Sequence, residues 1–323
     1  MSASSVTSTL FGPVPSRRLG RSLGIDVIPP KTCTLDCLYC ESGPTTHLKL
    51  HRKAFVPPDG VLVELQDFLK RSSNSVDALT FSSAGEPTLY EPLGDLIPAI
   101  KALCRSIPVV VLTNGTLLWD AAVRRALMGA DRVVPSLDAA HPEVFARLNR
   151  PHPRLDFHEV VEGLKAFRRE YRGAYHLEIL LVKGINDSAA HLRDLAALVR
   201  RIGPDRVELN TVVRPPAFSG TEGLTAEAMH RATVFFTSCP VDVVGSYETK
   251  GAVRVREEGS LDERVVKLVR RRPCSVVEMA DALGVAVEVV RQAVERLCQS
   301  GLLDVRCFDG RPFVVPAQAD EAL

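Results

Sequence analysis

The chain has 323 residues, 46% hydrophobic and 24% charged, with a formal net charge of +1. This is the make-up of a globular protein of one large or two smaller domains; its overall charge makes no case for nucleic acid or an anionic membrane as a partner, and no apolar run reaches the roughly 18 residues a membrane span needs. Eight cysteines in this length are no disulfide scaffold, and Met1 to Leu10 lacks the basic-then-apolar order of a signal peptide, so the sequence predicts a reducing, cytoplasmic setting without membrane association.

In chain order, residues 1–10 read as a loose tail. Phe11 to Gly24 is rich in Gly, Pro and Arg, with too little periodicity for a helix. Gly24 to Ile28 alternates and is β-branched, which predicts the first strand, ended by Pro29 and Pro30. A loop with three cysteines follows. From residue 58 helices and strands alternate. Helices are predicted over 61–69, 93–104, 121–127, 142–148, 158–167, 189–201 and 226–236. Strands are predicted over 76–81, 109–112, 132–137, 176–182, 207–212 and 241–244. Such alternation argues a parallel sheet with crossover helices. Six or seven strands are too few for a closed eight-stranded barrel, so an α/β fold with a partial (β/α)6 barrel is expected.

Composition changes near residue 257, where Arg256 to Ser260 reads as a polar hinge. Helices are predicted over 262–269, 275–282 and 287–298, the second opened by Ser275 with Glu278 three residues on. Strands over 302–306 and 312–315 flank Asp309-Gly310, a strong hairpin signal. Three helices and a hairpin predict a small C-terminal winged helix. The expected divisions are an N-terminal extension 1–22, a barrel 23–256, a winged helix 257–316 and a tail 317–323.

The chemistry concentrates in Cys33-Thr34-Leu35-Asp36-Cys37-Leu38-Tyr39-Cys40. Thiolates are soft ligands that select iron–sulfur clusters, zinc or copper(I). Structural zinc wants four ligands, and His47 or His51 just downstream offers a fourth. A redox disulfide is a further reading. A cubane held by only three cysteines leaves one iron open for chemistry. The other five cysteines are isolated and read as ordinary core or surface residues.

The octapeptide resembles the signature of the radical S-adenosylmethionine (SAM) superfamily, C-x3-C-x-aromatic-C, with Tyr39 in the aromatic slot. The resemblance implies a [4Fe–4S] cluster on Cys33, Cys37 and Cys40, SAM chelating the fourth iron, and one-electron cleavage of SAM to methionine and a 5′-deoxyadenosyl radical that abstracts hydrogen from a substrate. It implies the partial barrel as well, and an external flavodoxin or ferredoxin type electron donor. Cofactors of this kind carry the chemistry, and the protein positions and shields it.

Small and polar residues cluster at the carboxyl ends of the predicted strands. Ser82 to Thr88 contains Gly85-Glu86, which resembles the superfamily's Gly-Gly-Glu motif for the SAM amino group, with Ala84 in the first glycine's place. Thr113-Asn114 ends the third strand. Ser136 and Asp138 lie two apart at the end of the fourth and so face one side, suiting the ribose hydroxyls and the methionine carboxylate. Asn210 matches a backbone contact to the adenine, near which Tyr39 would pack. Each alone reads equally well as a turn; their order after the cysteine loop makes the set.

For substrate the remaining candidates are Arg17, Arg18, Arg21, Arg147, Asn149, Arg150, His152, Glu178, Lys183 and Arg214, each of which singly reads as solvated surface. Phe11 to Arg21, the cysteine loop, Gly85-Glu86-Pro87-Thr88 and Arg214-Pro215-Pro216 look like a group related to the wyosine tRNA-base synthases. The chain has no second cysteine triplet and no strongly basic surface in its composition, so tRNA chemistry is not carried over. Small molecule, peptide and RNA all stay open as substrates. The winged helix has Arg291, Gln292 and Arg296 on its third helix beside Glu288 and Glu295, and Arg270-Arg271-Arg272 at a helix end. Nucleic acid, peptide and protein all remain candidate partners for it, as does a purely regulatory or oligomerising role. Two other classes stay open: a zinc-binding winged-helix transcriptional regulator, and an activase that installs a glycyl radical on a partner protein.

Overall fold

The computed structural model of the protein describes residues 8–16, 18–72, 76–82, 84–244 and 259–317. One sheet organises the first 244. In chain order its strands are β1 (Leu10–Ser16) and β2 (Gly20–Ile25), then β5 (Ala78–Phe81), β6 (Val109–Thr113), β7 (Arg132–Pro135), β8 (Ala174–Leu181), β9 (Arg206–Thr211) and β10 (Val241–Val243). The gap in numbering is a two-residue parallel pair, β3 (Thr32–Cys33) and β4 (His47–Leu48), within the cysteine loop. The sheet order is β1-β2-β5-β6-β7-β8-β9-β10. β1 is antiparallel to β2 and every later neighbour pair is parallel.

The parallel strands are linked by helices α1 (Pro58–Ser72), α2 (Leu93–Leu103), α3 (Ala121–Leu127), α4 (Pro142–Asn149), α5 (Phe157–Glu170), α6 (Ala189–Ile202) and α7 (Ala226–Thr233). Their apolar stripes explain the packing: Leu192, Leu195, Val199 and Ile202 of α6 are buried, and Ser188 and Gly203 cap its two ends.

The sheet curls into an open barrel, and one residue shows it. β2 and β9 are five strand spacings apart, about 24 Å on a flat sheet. Yet Arg18, in the β1–β2 turn, places Nη1 2.7 Å from Glu208 Oε2 on β9 and 3.0 Å from Glu178 Oε2 on β8. Only a curved sheet brings them together. Along β8, Tyr175, Leu177, Ile179 and Leu181 are buried, while the half-buried His176 and Glu178 alternate with them; these two join the Arg18 cluster inside the curve. Charged residues on alternate positions of a parallel strand therefore mark a polar lumen.

Phe11 to Gly24, read from the sequence only as not helical, is most of a β-hairpin; the expected first strand, Gly24 to Ile28, is corrected to β2, which ends at Ile25. β1 tolerates Pro13 and Pro15 because it is an edge, and a bulge at Gly12, φ +94°, absorbs the irregular register between Phe11 and Val14. Phe11 lies over Gly24, where a Cβ would come within 2.0 Å of its ring. The hairpin also merges the expected extension 1–22 into the sheet. Nor is the end of the expected tail loose: Glu64 of α1 accepts hydrogen bonds from Thr9 N (2.8 Å) and Thr9 Oγ1 (2.6 Å).

The C-terminal residues form α8 (Leu261–Val269), α9 (Val276–Leu283), α10 (Val287–Gln299) and the hairpin β11 (Leu303–Phe308) and β12 (Arg311–Pro316). Ser260 with Glu263 and Ser275 with Glu278 form capping boxes. Asp309 and Gly310 both take positive φ, as a two-residue hairpin turn requires. These elements pack around their own apolar cluster, Val265, Met279, Val290 and Leu297 among them. The hinge expected at 256–260 lies outside the described residues up to 258, and so does the tail from 318. Among the described residues no helix is long and apolar enough to cross a membrane.

Candidate functional site

The cysteine loop crosses the carboxyl ends of the strands and is held by backbone. Lys31 N donates to Ala84 O (2.7 Å), and Glu86 N donates to Thr32 O (3.0 Å), so the loop after β5 is zipped to the chain just before Cys33. Gly85 sits in that zipper; a Cβ there would meet Thr32 O at 2.2 Å. The carbonyls at the end of α4, which have no partner within the helix, accept from the loop: Asp36 N reaches Asn149 O (3.1 Å) and Leu38 N reaches Leu148 O (3.0 Å). Buried Thr34 and Thr116 share a hydrogen bond of 2.7 Å between hydroxyls.

Cys33, Cys37 and Cys40 are half-buried free thiols, and all eight cysteines are free of disulfides. Two side-chain amides are aimed at their sulfurs. Asn114 Nδ2 lies 3.4 Å from Cys33 Sγ, and Asn149 Nδ2 lies 3.4 Å from Cys37 Sγ. Amide donors of this kind stabilise charge on sulfur, which fits ligating thiolates. Burial pushes all three thiols up, Cys33 to about 12, with the Glu86 carboxylate adding to that. Among the described residues no three His, Cys, Asp or Glu side chains gather in a ready-made single-ion site. His47 and His51 are exposed.

Two hydrogen-bonded networks extend from the amides. Glu86 is buried, 2% exposed. Its carboxylate accepts from Thr88 N (3.0 Å), Thr88 Oγ1 (2.6 Å), Thr113 Oγ1 (2.5 Å) and Asn114 N (2.7 Å), tying the β5 and β6 loops together. Asp138, also buried, accepts from the Tyr39 hydroxyl, from Asn149 Nδ2 (2.9 Å) and from Leu180 N (2.8 Å). Burial raises its pKa to about 6 against the lowering effect of those donors. The Tyr39 ring belongs to a small apolar cluster with Leu148, Val182 and Val212. Asn149 Oδ1 is buried without a hydrogen-bond partner, an acceptor left open beside Cys37.

Of the expected site residues, the structure thus joins Cys33, Cys37, Tyr39, Gly85, Glu86, Thr113, Asn114 and Asp138. The half-buried Ser136 is one strand over from Thr113, its N–H on Thr113 O (3.0 Å). Cys40 N donates to Cys37 O (3.2 Å), closing the loop. The Glu86 and Asp138 carboxylates, both expected beside SAM, accept hydrogen bonds from protein donors and clasp the loops together. Asn210 is apart from the cysteine network by its side chain, which donates to Glu178 Oε1 (3.1 Å) in the lumen.

The solvated-surface reading fails for two of the arginines. Arg18 is the centre of the lumen cluster, where His176 Nδ1 also donates to Glu208 Oε1 at 2.7 Å. Arg214 is 3% exposed and bridges Glu41 in the cysteine loop (3.5 Å) and Glu278 of α9. Arg21, Arg150 and Lys183 are in surface ion pairs with Asp77, Asp36 and Glu222. Arg147 is exposed, His152 half-buried, and Arg17 is outside the described residues. What the sequence did not show is how the C-terminal unit meets the site. Arg271 pairs with Asp26 (3.1 Å) and stacks over the Phe11 ring at 4.4 Å, and Ser42 Oγ donates to Arg271 O (3.0 Å). The unit therefore lies on the β1–β2 hairpin and the cysteine loop together.

The Radical SAM superfamily model matches residues 27–196, which spans the cysteine loop and the strands through β8. A protein of Brachyspira hyodysenteriae named GTPase Obg is 37% identical over 306 residues, covering 94% of this chain but 44% of that protein. A UPF0026 protein of Helicobacter pylori is 34% identical over 270 residues, covering 83% of this chain and 86% of its own length. Among solved structures, a radical SAM methyltransferase from Sphaerobacter thermophilus superposes with a TM-score of 0.55 at 18% identity, over 69% of this chain and 66% of that one. At that identity the likeness is one of fold.

Proposed function

The chain belongs to the Radical SAM superfamily and is an enzyme of it, and on that premise we propose that Cys33, Cys37 and Cys40 hold a [4Fe–4S] cluster with SAM beside it. When bound, these groups supply one-electron cleavage of SAM and removal of a hydrogen atom from the substrate. The observation that carries the reading is the pair of amides, Asn114 and Asn149, aimed at two of the three sulfurs. The protein's own part is positioning. Asn114 and Asn149 stabilise the anionic sulfurs. Glu86 fixes Asn114 and Thr113, and Asp138 fixes Tyr39 and Asn149. The Gly85 backbone, the Ser136 hydroxyl and the open Asn149 carbonyl are the polar groups left to face SAM, with the chain at Asn210 behind the adenine.

The C-terminal unit, which we read as a winged helix, shields this end of the barrel from water through Arg214 and Arg271. The electron comes from a flavodoxin or ferredoxin type donor. GTP hydrolysis is no part of the proposal: this chain spans under half of the relative named a GTPase, and it contains no Gly-Lys pair with which to build a phosphate-binding P-loop. The likeness of Phe11 to Arg21 and Arg214 to Pro216 to the wyosine group supports kinship, not a tRNA substrate.

The test is turnover. Anaerobically reconstituted, dithionite-reduced protein is expected to convert SAM to 5′-deoxyadenosine and methionine. Protein that carries a full cluster yet never forms 5′-deoxyadenosine, with or without cell extract, would overturn the proposal.

A further inference from the structure

A cavity of about 230 Å³ lies at the junction of the β1–β2 hairpin, the cysteine loop and the end of α8. Ser22, Thr80, Ser82 and Leu112 of the sheet form one wall, Glu41 and Ser42 another, and Arg271 and Arg272 a third. It holds roughly eight water volumes at ~30 Å³ each, the room of a small metabolite.

Its polar groups are mostly unspent donors. Ser22 and Thr80 share one hydrogen bond at 2.6 Å, which uses one of their two protons and leaves one. Ser16 Oγ accepts from Arg18 N and Leu19 N, both at 3.3 Å, so its own proton is free. Ser82 makes no side-chain hydrogen bond among the described residues. Arg18 pairs with Glu178 and Glu208, Arg271 with Asp26, and Glu41 with Arg214, which also pairs with Glu278. Arg272, half-buried, lines the cavity with no acidic partner among the described residues. A guanidinium beside several free hydroxyl donors can pair with an anion by charge-assisted hydrogen bonds.

We propose that this cavity is a binding site for a small molecule bearing a carboxylate or phosphate, with Arg272 from the C-terminal unit as its anchor and the Ser16, Ser22, Thr80 and Ser82 hydroxyls as its secondary donors. Its position, beginning one residue after Cys40 in the loop and at the carboxyl ends of β5 and β6, makes it the substrate chamber; that assignment rests on the proposed function, whereas anion binding does not. Arg272 then sets specificity, and the C-terminal unit is part of the site.

The experiment is calorimetric titration of the full chain with inorganic phosphate and, separately, with malonate, at constant ionic strength. Saturable one-site binding of at least one probe is expected; whichever binds tighter names the anion. Arg272→Gln should weaken it at least about tenfold, Ser82→Ala should weaken it less, and Arg270→Gln, at an exposed neighbour, should leave it unchanged. Absence of saturable binding of both probes, full binding in Arg272→Gln, or equal weakening in Arg270→Gln overturns the site. Iron content measured on the same samples separates the two proposals: anion binding in iron-free protein leaves the chamber standing while the cluster reading alone is at risk.

Discussion

Gly85→Ala is the sharpest perturbation of the site's frame. The added methyl would lie 2.2 Å from Thr32 O and 2.9 Å from Ile28 Cγ2. Thr32 O is backbone and cannot yield without moving Cys33. Relief of the contact breaks the Glu86 N–Thr32 O and Lys31 N–Ala84 O bonds. Two backbone hydrogen bonds are worth about 1 kcal/mol each, and overpacking adds about 1–3 kcal/mol, so the loss should be about 3–5 kcal/mol. Urea unfolding followed by the single tryptophan, Trp119 on the loop before α3, reads it. Gly60→Ala is the control: it lies in α1 with nothing within 4 Å of a Cβ, and should gain up to about 1 kcal/mol from helix propensity. Gly85→Ala should also retain less iron although no ligand is altered. If it unfolded at the same urea concentration as wild type, the zipper between the β5 loop and the cysteine loop would not be what holds the site.

Glu278→Ala leaves buried Arg214 with only the longer Glu41 contact, and should cost about 3 kcal/mol in thermal or urea unfolding; an unchanged midpoint would show that the C-terminal unit is held otherwise. Burial acts to raise the pKa of Glu208, but the His176 hydrogen bond and Arg18 override it and hold it at about 2. A depressed carboxylate stabilises the fold above its unfolded value near 4.5 and loses that contribution as pH falls toward 2, here about 3 kcal/mol; Glu208→Gln should flatten acid unfolding across that window. Asn149→Ala removes a donor from Cys37 and should shift the reconstituted cluster to a more negative potential by redox titration, with Asn149→Asp failing to restore it.

The alternation of helices and strands after residue 58 was legible because buried parallel strands and amphipathic helices carry their own periodicities. So were the capping box at Ser275 and the Asp309-Gly310 turn; the one at Ser260 was not, since Ser260 read as the end of a hinge. β1 was not, because two prolines and a glycine bulge erase strand periodicity on an edge where the hydrogen bonds are not needed. Pairings across the barrel were not legible either. Arg18 and Glu208 are 190 residues apart, and nothing local to either says that the sheet will curl them together. The same holds for Arg214 and Glu278, 64 residues apart. The cysteines, Gly85 and Asn114 could be found because they cluster at strand ends. Which protein donors a strand-end carboxylate meets depends on side chains from other loops, and the donors that Glu86 and Asp138 accept from were not legible.

Iron and acid-labile sulfide per chain, measured on anaerobically reconstituted protein alongside single-cysteine variants, tests the central claim most directly. About four irons per chain, lost in Cys33→Ala, Cys37→Ala and Cys40→Ala but kept in Cys298→Ala, is the predicted result. Stoichiometric zinc in place of iron, or equal loss of iron from Cys298→Ala, would contradict it.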